Sequence, residues 1–279
     1  MSPHLPLGGR VALVTGANHG IGAAVARALA HRGADVVATY LRADPDLDTD
    51  AARPDAYLAA RTRDGAGIVA EIEALGHRAV AVEVDLADTD APRRLFDAAE
   101  AQLGPVTVLV HNASGWRQDT FASGTPDAVG RVPDGMTAAS VDAQLHVDAR
   151  AGALLMNELI VRHRARGDTW GRIVTLTSGT GGAFPGEVSY GAAKAALISY
   201  TLSAASEMAA DGVTADGVTA NVVYPPVTDT GWVTDEVRAF VATDPDHHHV
   251  ASPDEVAETI AWLCAEANHL VTGNVIRLR

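Results

Sequence analysis

The chain has 279 residues, with 35 acidic against 21 basic side chains, a formal net charge of −14 and 47% apolar residues. Only 5% are aromatic and much of the rest is alanine, which suits helices packed tightly on a sheet and excludes a disordered chain. The acidity excludes a general nucleic-acid binder and a protein of anionic membrane surfaces, both of which need a basic face. No run reaches the ~18 apolar residues of a membrane span, and residues 1–10 carry no apolar stretch for export, so a soluble, cytoplasmic protein is expected.

Short runs of valine, isoleucine and leucine predict strands at 10–14, 35–40, 79–84, 106–111, 172–177, 218–224 and 274–278. Most of these runs are continuous, as in parallel strands buried on both faces. Helical periodicity predicts helices at 21–31, 66–75, 91–102, 138–164, 188–210 and 253–265. Alternation of this kind over the whole length means one α/β domain, 1–279, built on a doubly wound parallel sheet of about seven strands with helices on both faces.

Two segments break the rhythm. Residues 43–64 hold Asp44, Asp46, Asp48, Asp50, Asp55 and Asp64 and read as an acidic, solvated excursion; residues 115–136, with Trp116 and Arg117, read as a second loop insertion. Asp211-Gly-Val-Thr-Ala is followed at once by Asp216-Gly-Val-Thr-Ala, a slipped copy lengthening a surface loop. Cys264, the single cysteine, lies in an apolar run and reads as a small buried residue, so disulfides and multi-cysteine metal sites are excluded. His247, His248 and His249 point in different directions and read as a solvated turn, and no metal site is expected.

The first strand runs into Gly16-Ala-Asn-His-Gly20-Ile-Gly22 and then an alanine-rich helix. A dinucleotide needs this arrangement, with a tight turn, close backbone approach to a pyrophosphate, and free N–H groups at a helix N-terminus. Tyr190 and Lys194 lie four apart on a helical pattern, one turn apart on one face, among Gly191, Ala192, Ala193, Ala195 and Ala196, with Ser178 upstream at a strand end.

These motifs together, Thr15-Gly-Ala-Asn-His-Gly-Ile-Gly22, Val84-Asp85-Leu86, His111-Asn112-Ala113, Ser178, Tyr190-Gly-Ala-Ala-Lys194 and Asn221-Val-Val-Tyr-Pro225, stand in the order of the short-chain dehydrogenase/reductase family. The chain resembles its ordinary-length, ketoacyl-reductase-like branch from about residue 8 onward. The resemblance implies a single-domain Rossmann fold and a ketone/alcohol oxidoreductase working by hydride transfer. It makes Tyr190 the general acid/base, Lys194 the group that tunes it and holds the nicotinamide ribose, and Ser178 the hydrogen-bond partner of the substrate oxygen. Thr177 stays in reserve for that last role, because the interval from Ser178 to Tyr190 is one residue shorter than the family's.

Asp148 stands where the family usually has an asparagine holding a water in a proton relay to the lysine. A carboxylate there still accepts that water's hydrogen bond, and it would partly cancel the effect of Lys194 on Tyr190, giving a retuned catalytic relay. For the cofactor, the resemblance assigns Gly16, Asn18, His19, Gly20, Ile21 and Gly22 to the phosphates, Asp85 and Leu86 to adenine, Asn112 and Ala113 to the adenosine side, and Pro225, Val227 and Thr230 to nicotinamide and phosphates. The second strand ends at Tyr40 without the carboxylate of an NAD site. Arg42 beyond it, with His19, favours NADP(H) over NAD(H), although the acids of 43–64 work against that preference unless the loop folds away.

Pro226 replaces a glycine of the family's loop and should stiffen the turn, and 226–252 is expected to form a substrate lid. A small-molecule carbonyl or alcohol is the expected partner, with homodimers or homotetramers formed through 138–164 and 188–210. A cofactor-binding regulator that keeps the fold, and an epimerase or dehydratase with the same trio, remain the alternatives.

Overall fold

Valine, alanine and leucine fill Val11–Thr15 (β1), which is buried at every residue, so a helix must cover each of its faces. The computed structural model describes residues 5–42, 54–127, 130–178, 183–210, 217–244 and 248–279, without the side chain of residue 210. Asp44, Asp46, Asp48, Asp50, the first copy of the duplicated pentapeptide, His247 and residues 179–182 lie outside the described residues.

After β1 come Asp35–Tyr40 (β2), Ala79–Glu83 (β3), Val106–His111 (β4), Gly171–Leu176 (β5), Val218–Tyr224 (β6) and Val275–Arg277 (β7). All seven pair in parallel, in the order β3-β2-β1-β4-β5-β6-β7. Burial on both faces holds for the inner strands but not for β3 and β7, which are sheet edges and partly exposed. The order reverses between β1 and β4, and a crevice opens there at the C-terminal strand ends, where such sheets bind ligands.

Helices Gly20–His31 (α1), Asp55–Arg61 (α2), Ala66–Ala74 (α3) and Ala91–Gln102 (α4) follow in chain order. Alanine does the packing on one face: Ala23, Ala24, Ala26, Ala28 and Ala30 of α1 join one core with Val256, Ala257, Ile260 and Ala261 from the last long helix. Leu95 and Phe96 of α4 join the other core with Leu155, Leu159 and Leu197. Cys264 is fully buried in the first core, as expected, and burial pushes its thiol up to about 12.

Two expectations need correction. The helix expected over 138–164 is three pieces, Ala138–Gln144 (α5), a π-helical turn Leu145–Arg150, and Ala151–Arg166 (α6). A π turn keeps the apolar stripe while inserting one residue, so periodicity cannot reveal it. The excursion at 43–64 is not all solvated loop, because Pro54 starts α2 and Asp64 Oδ1 accepts from Ala66 N ahead of α3. Beyond Val188–Ala210 (α7), the segment expected as a lid contains Asp235–Thr243 (α8), capped by Thr234, before Pro253–Leu263 (α9), which opens on a Ser252–Glu255 capping box.

Candidate active site

The glycine turn is built around one hydroxyl. Thr15 Oγ1 at the end of β1 accepts from the backbone N–H groups of Asn112 and Ala113, each at 3.0 Å. Its own proton must therefore go to His111 Nδ1, also 3.0 Å away. The other ring nitrogen, Nε2, lies 3.2 Å from the backbone oxygen of Asp148, which can only accept, so His111 is neutral with its proton on Nε2. Burial first, and Lys194 next, bring its pKa down to about 4.

Asn112 Nδ2 donates to the carbonyls of Thr15 and Gly16, each at 3.1 Å, and so ties the turn to β4. Gly22 packs so closely that a Cβ there would lie 2.0 Å from Gly16 O. Helix α1 opens without a side-chain cap at His19, which leaves its N-terminal N–H groups facing the crevice for an anion. Both ring nitrogens of His19 are buried without a hydrogen-bond partner. Burial, then Arg61 and Arg63, bring its pKa down to about 4, so His19 offers this turn a neutral imidazole and not the cation expected of it. Unsatisfied polar atoms beside two guanidinium groups and an open helix N-terminus fit a phosphate-bearing cofactor.

Helix α2 lies against this turn, a neighbour that the aspartate-rich sequence around it concealed. Asn18 Nδ2 donates to Arg63 O at 2.8 Å, the His19 and Tyr57 rings are 6.0 Å apart, and the Arg61 guanidinium is 5.8 Å from the Tyr57 ring. From the other side the loop after β6 closes in, with Thr230 side-chain atoms 3.0 Å from where a Cβ of Gly20 would be. In that loop Thr228 Oγ1 donates to Pro226 O, and Ala251 N donates to Val227 O. At the far end of the crevice Arg42 is engaged by Glu83, with Nε to Oε1 at 2.9 Å and Nη2 to Oε2 at 2.8 Å. The parallel register brings Tyr40 opposite Glu83 and sets up this pair. Asp85 accepts from Ala87 N at 2.8 Å, and Leu86 beside it is buried.

Ser178, Tyr190, Lys194 and Asp148 come together at the ends of β4 and β5. Lys194 Nζ donates to Leu176 O at 3.0 Å and lies 2.8 Å from Asp148 Oδ1, with side chains 3% and 0% exposed. Oδ1 has no well-directed hydrogen bond, so this contact is an ion pair by distance. Asp148 Oδ2 accepts from Ser114 Oγ at 3.1 Å and Gly115 N at 2.9 Å. The π turn swings Asp148 inward. Lys194 Nζ is 5.4 Å from the Tyr190 ring centre.

Ser178 is near enough to Tyr190 to favour its phenolate, while Thr177 Oγ1 is directed at Ser178 O. Part of the Tyr190 surface stays accessible, but protein crowds its hydroxyl. Burial, then the Asp148 and Glu187 carboxylates, hold the phenol well above its ordinary value, against the opposing effect of Ser178. Such a group is a proton donor across the neutral range.

Sequence reasoning missed the acids around the start of α7. Glu187 is buried and accepts from Trp116 Nε1 at 2.8 Å and Arg131 Nη2 at 3.0 Å. Asp119, fully buried, accepts from Ser189 N at 2.8 Å and Ser140 Oγ at 2.7 Å. The 115–136 insertion is thereby anchored to the helix that carries Tyr190. Glu187 had a local signal, a charge three residues before Tyr190; Asp119 had none, because its partner Ser189 is 70 residues away.

Among the described residues no group of His, Cys, Asp and Glu could hold a metal ion, and no helix is long and apolar enough to cross a membrane. The family model for short chain dehydrogenase matches residues 10–239. The cis-4-hydroxycyclohexanecarboxylate dehydrogenase of Sinomonas cyclohexanicum is 34% identical over 96% of this chain and 94% of its own length. The acetoacetyl-CoA reductase of Cupriavidus necator is 31% identical over 95% and 94%. A short chain dehydrogenase from Burkholderia cenocepacia J2315, solved in complex with NADP, superposes with a TM-score of 0.74 at 31% identity, over 98% of this chain and 97% of that one. Through the family model and these relatives, the chain belongs to the short-chain dehydrogenase family, oxidoreductases that act on alcohol and carbonyl groups with a nicotinamide cofactor.

Proposed function

We propose that the protein reduces a ketone, or oxidises the corresponding alcohol, with NADP(H) at a Ser178–Tyr190–Lys194 site. The observation that carries this reading is the Lys194 ammonium one turn along the helix, 5.4 Å from the Tyr190 ring centre, with Ser178 acting on Tyr190 from the end of β5, on the sheet edge that also carries the glycine turn. The phosphates would lie on Gly16, Asn18, Gly20, Ile21 and Gly22 at the start of α1, adenine against Asp85 and Leu86, the adenosine side along Asn112 and Ala113, and the nicotinamide end between Lys194, Pro225, Val227 and Thr230. Bound there, the dinucleotide supplies or accepts the hydride. Tyr190 passes its proton to the oxygen of the carbonyl being reduced, Ser178 orients that oxygen by a hydrogen bond, and Lys194 holds the ribose.

NADP(H) is favoured by the Arg61 and Arg63 guanidinium groups beside the turn and by Arg42 after β2. Glu83 already engages Arg42 and opposes that preference, so a 2′-phosphate must compete for the guanidinium. A small or medium apolar substrate in the cytoplasm completes the reading. Exposed Val161 on α6 and Tyr200 on α7 support a homodimer or homotetramer formed through these helices.

Initial rates of NADPH and NADH oxidation with diketones, quinones and β-ketoesters test the proposal, alongside Tyr190→Phe. Expected are turnover with NADPH exceeding that with NADH, and loss of turnover in the variant with NADPH binding kept. Binding of NADPH without turnover of any carbonyl would overturn the catalytic reading in favour of a regulator.

A further inference from the structure

A lone buried ammonium beside a phenol favours the phenolate. In this site the ammonium is not alone. Asp148 lies 2.8 Å from Lys194 Nζ, both side chains are out of solvent, and the carboxylate is fixed by Ser114 Oγ and Gly115 N. A contact pair presents a dipole to its surroundings and not a charge, so most of the lysine's field at Tyr190 is cancelled.

The other groups facing these side chains do not restore it. Tyr190 faces Asp148 from the π turn, Glu187 from the start of its own helix, Tyr57 from α2, Ser178 after β5, and the ring of Phe184 at 5.8 Å. Asp148 faces Lys194 from α7, Ser114 after β4, and His111 in β4, which is neutral. Glu187 is itself matched by Arg131 and Trp116. Each carboxylate near Tyr190 thus has its own cation, and the Lys194 ammonium has no charge left over to favour the phenolate.

Resting on the reading of Tyr190 as acid and base, we propose that Asp148 is a positioning residue, the buried counter-ion of Lys194, that keeps Tyr190 in its phenol form and so biases the site toward carbonyl reduction. In reduction the carbonyl carbon receives the hydride of the reduced nicotinamide, the C=O π pair moves onto oxygen, and the Tyr190 O–H bond breaks as its proton joins that oxygen. Solvent then reprotonates the phenolate. In oxidation the phenolate must exist first, to take the alcohol's proton as hydride leaves carbon for the oxidised nicotinamide, so that direction requires alkaline solution.

The experiment compares pH profiles of both directions in the wild-type enzyme and Asp148→Asn, and titrates phenolate absorbance in the ultraviolet as a difference between wild type and Tyr190→Phe. Expected are alcohol oxidation rising only in alkaline solution, a shift of that rise to lower pH by about one to two pH units in Asp148→Asn, and a Tyr190 phenolate signal appearing above the range of free tyrosine. An unshifted oxidation profile in an Asp148→Asn protein that binds NADPH normally overturns the proposal. So does a Tyr190 phenolate that titrates near neutrality, a measurement that does not depend on Asp148→Asn folding. Turnover retained in Tyr190→Phe would overturn the acid–base reading and this proposal together; turnover lost while the phenolate titrates near neutrality would overturn this proposal alone.

Discussion

Thr15→Val replaces one hydroxyl by a methyl of nearly equal volume in a residue that is fully buried. The hydroxyl accepts from two backbone N–H groups and donates to His111 Nδ1, and the methyl does none of these. Each orphaned partner costs about 1–3 kcal/mol where water cannot reach it. Because Asn112 and Ala113 are only half-buried, the low end applies to their N–H groups, and the sum is about 3–5 kcal/mol. For a chain of this length that lowers Tm by about 6–20 °C. The freed Nδ1 also leaves the ring without its fixed tautomer, so the grip of Nε2 on the Asp148 carbonyl weakens. Chemical and thermal denaturation of wild type, Thr15→Val and Thr15→Ser measure the effect, with Thr15→Ser expected to keep most of the stability because it keeps the hydroxyl. A loss below ~1 kcal/mol in Thr15→Val would refute the three-bond assignment.

Two further outcomes are expected. Gly22→Ala puts a methyl 2.0 Å from Gly16 O and 2.6 Å from Asn112 Nδ2; the backbone cannot yield there, so NADPH fluorescence titration should show no saturable binding, and wild-type affinity would refute the close approach. His111 has a folded pKa of about 4 against an ordinary 6.5, so between those values the unfolded chain binds the extra proton. The stabilisation is complete above about pH 6.5 and is lost as pH falls toward 4, at up to ~1.4 kcal/mol per pH unit. Denaturation midpoints of His111→Asn over that range should fall less steeply than those of wild type, and equal slopes would contradict a buried neutral imidazole.

The sheet was legible because valine-rich runs of five to seven residues between helical periods have few other folds. The glycine turn and the Tyr190–Lys194 pair were legible because each is local, within one turn of chain. Helix α8 was overlooked although Thr234 ahead of Asp235 and Glu236, with Val237 and Val241 four apart and buried, is a capped amphipathic start. Helix α2 was hidden by the aspartates preceding it. What no local pattern carries are the long-range pairs: Arg42 with Glu83, 41 residues apart, is set by the register of β2 and β3, and Asp119 with Ser189 by the fold of an insertion.

The departure at Asp148 was visible as a residue type but not as a device, because its partners are Lys194, Ser114 and His111 from three other segments. Those partners depend on one another. His111 reaches the Asp148 carbonyl only because Gly152 has no Cβ, which would stand 2.9 Å from the imidazole Cδ2 and 2.6 Å from Leu197 Cδ1. The carbonyl is available to an imidazole because the π turn loosens the regular ladder at this point. That same turn delivers the carboxylate to Lys194 while its backbone is pinned to β4 by the ring. A carboxylate on a regular helix with no such anchor could rotate toward solvent and leave Lys194 unopposed. Held at both its carbonyl and its carboxylate, Asp148 has one place to be, so its charge acts on Tyr190 as a fixed part of the fold.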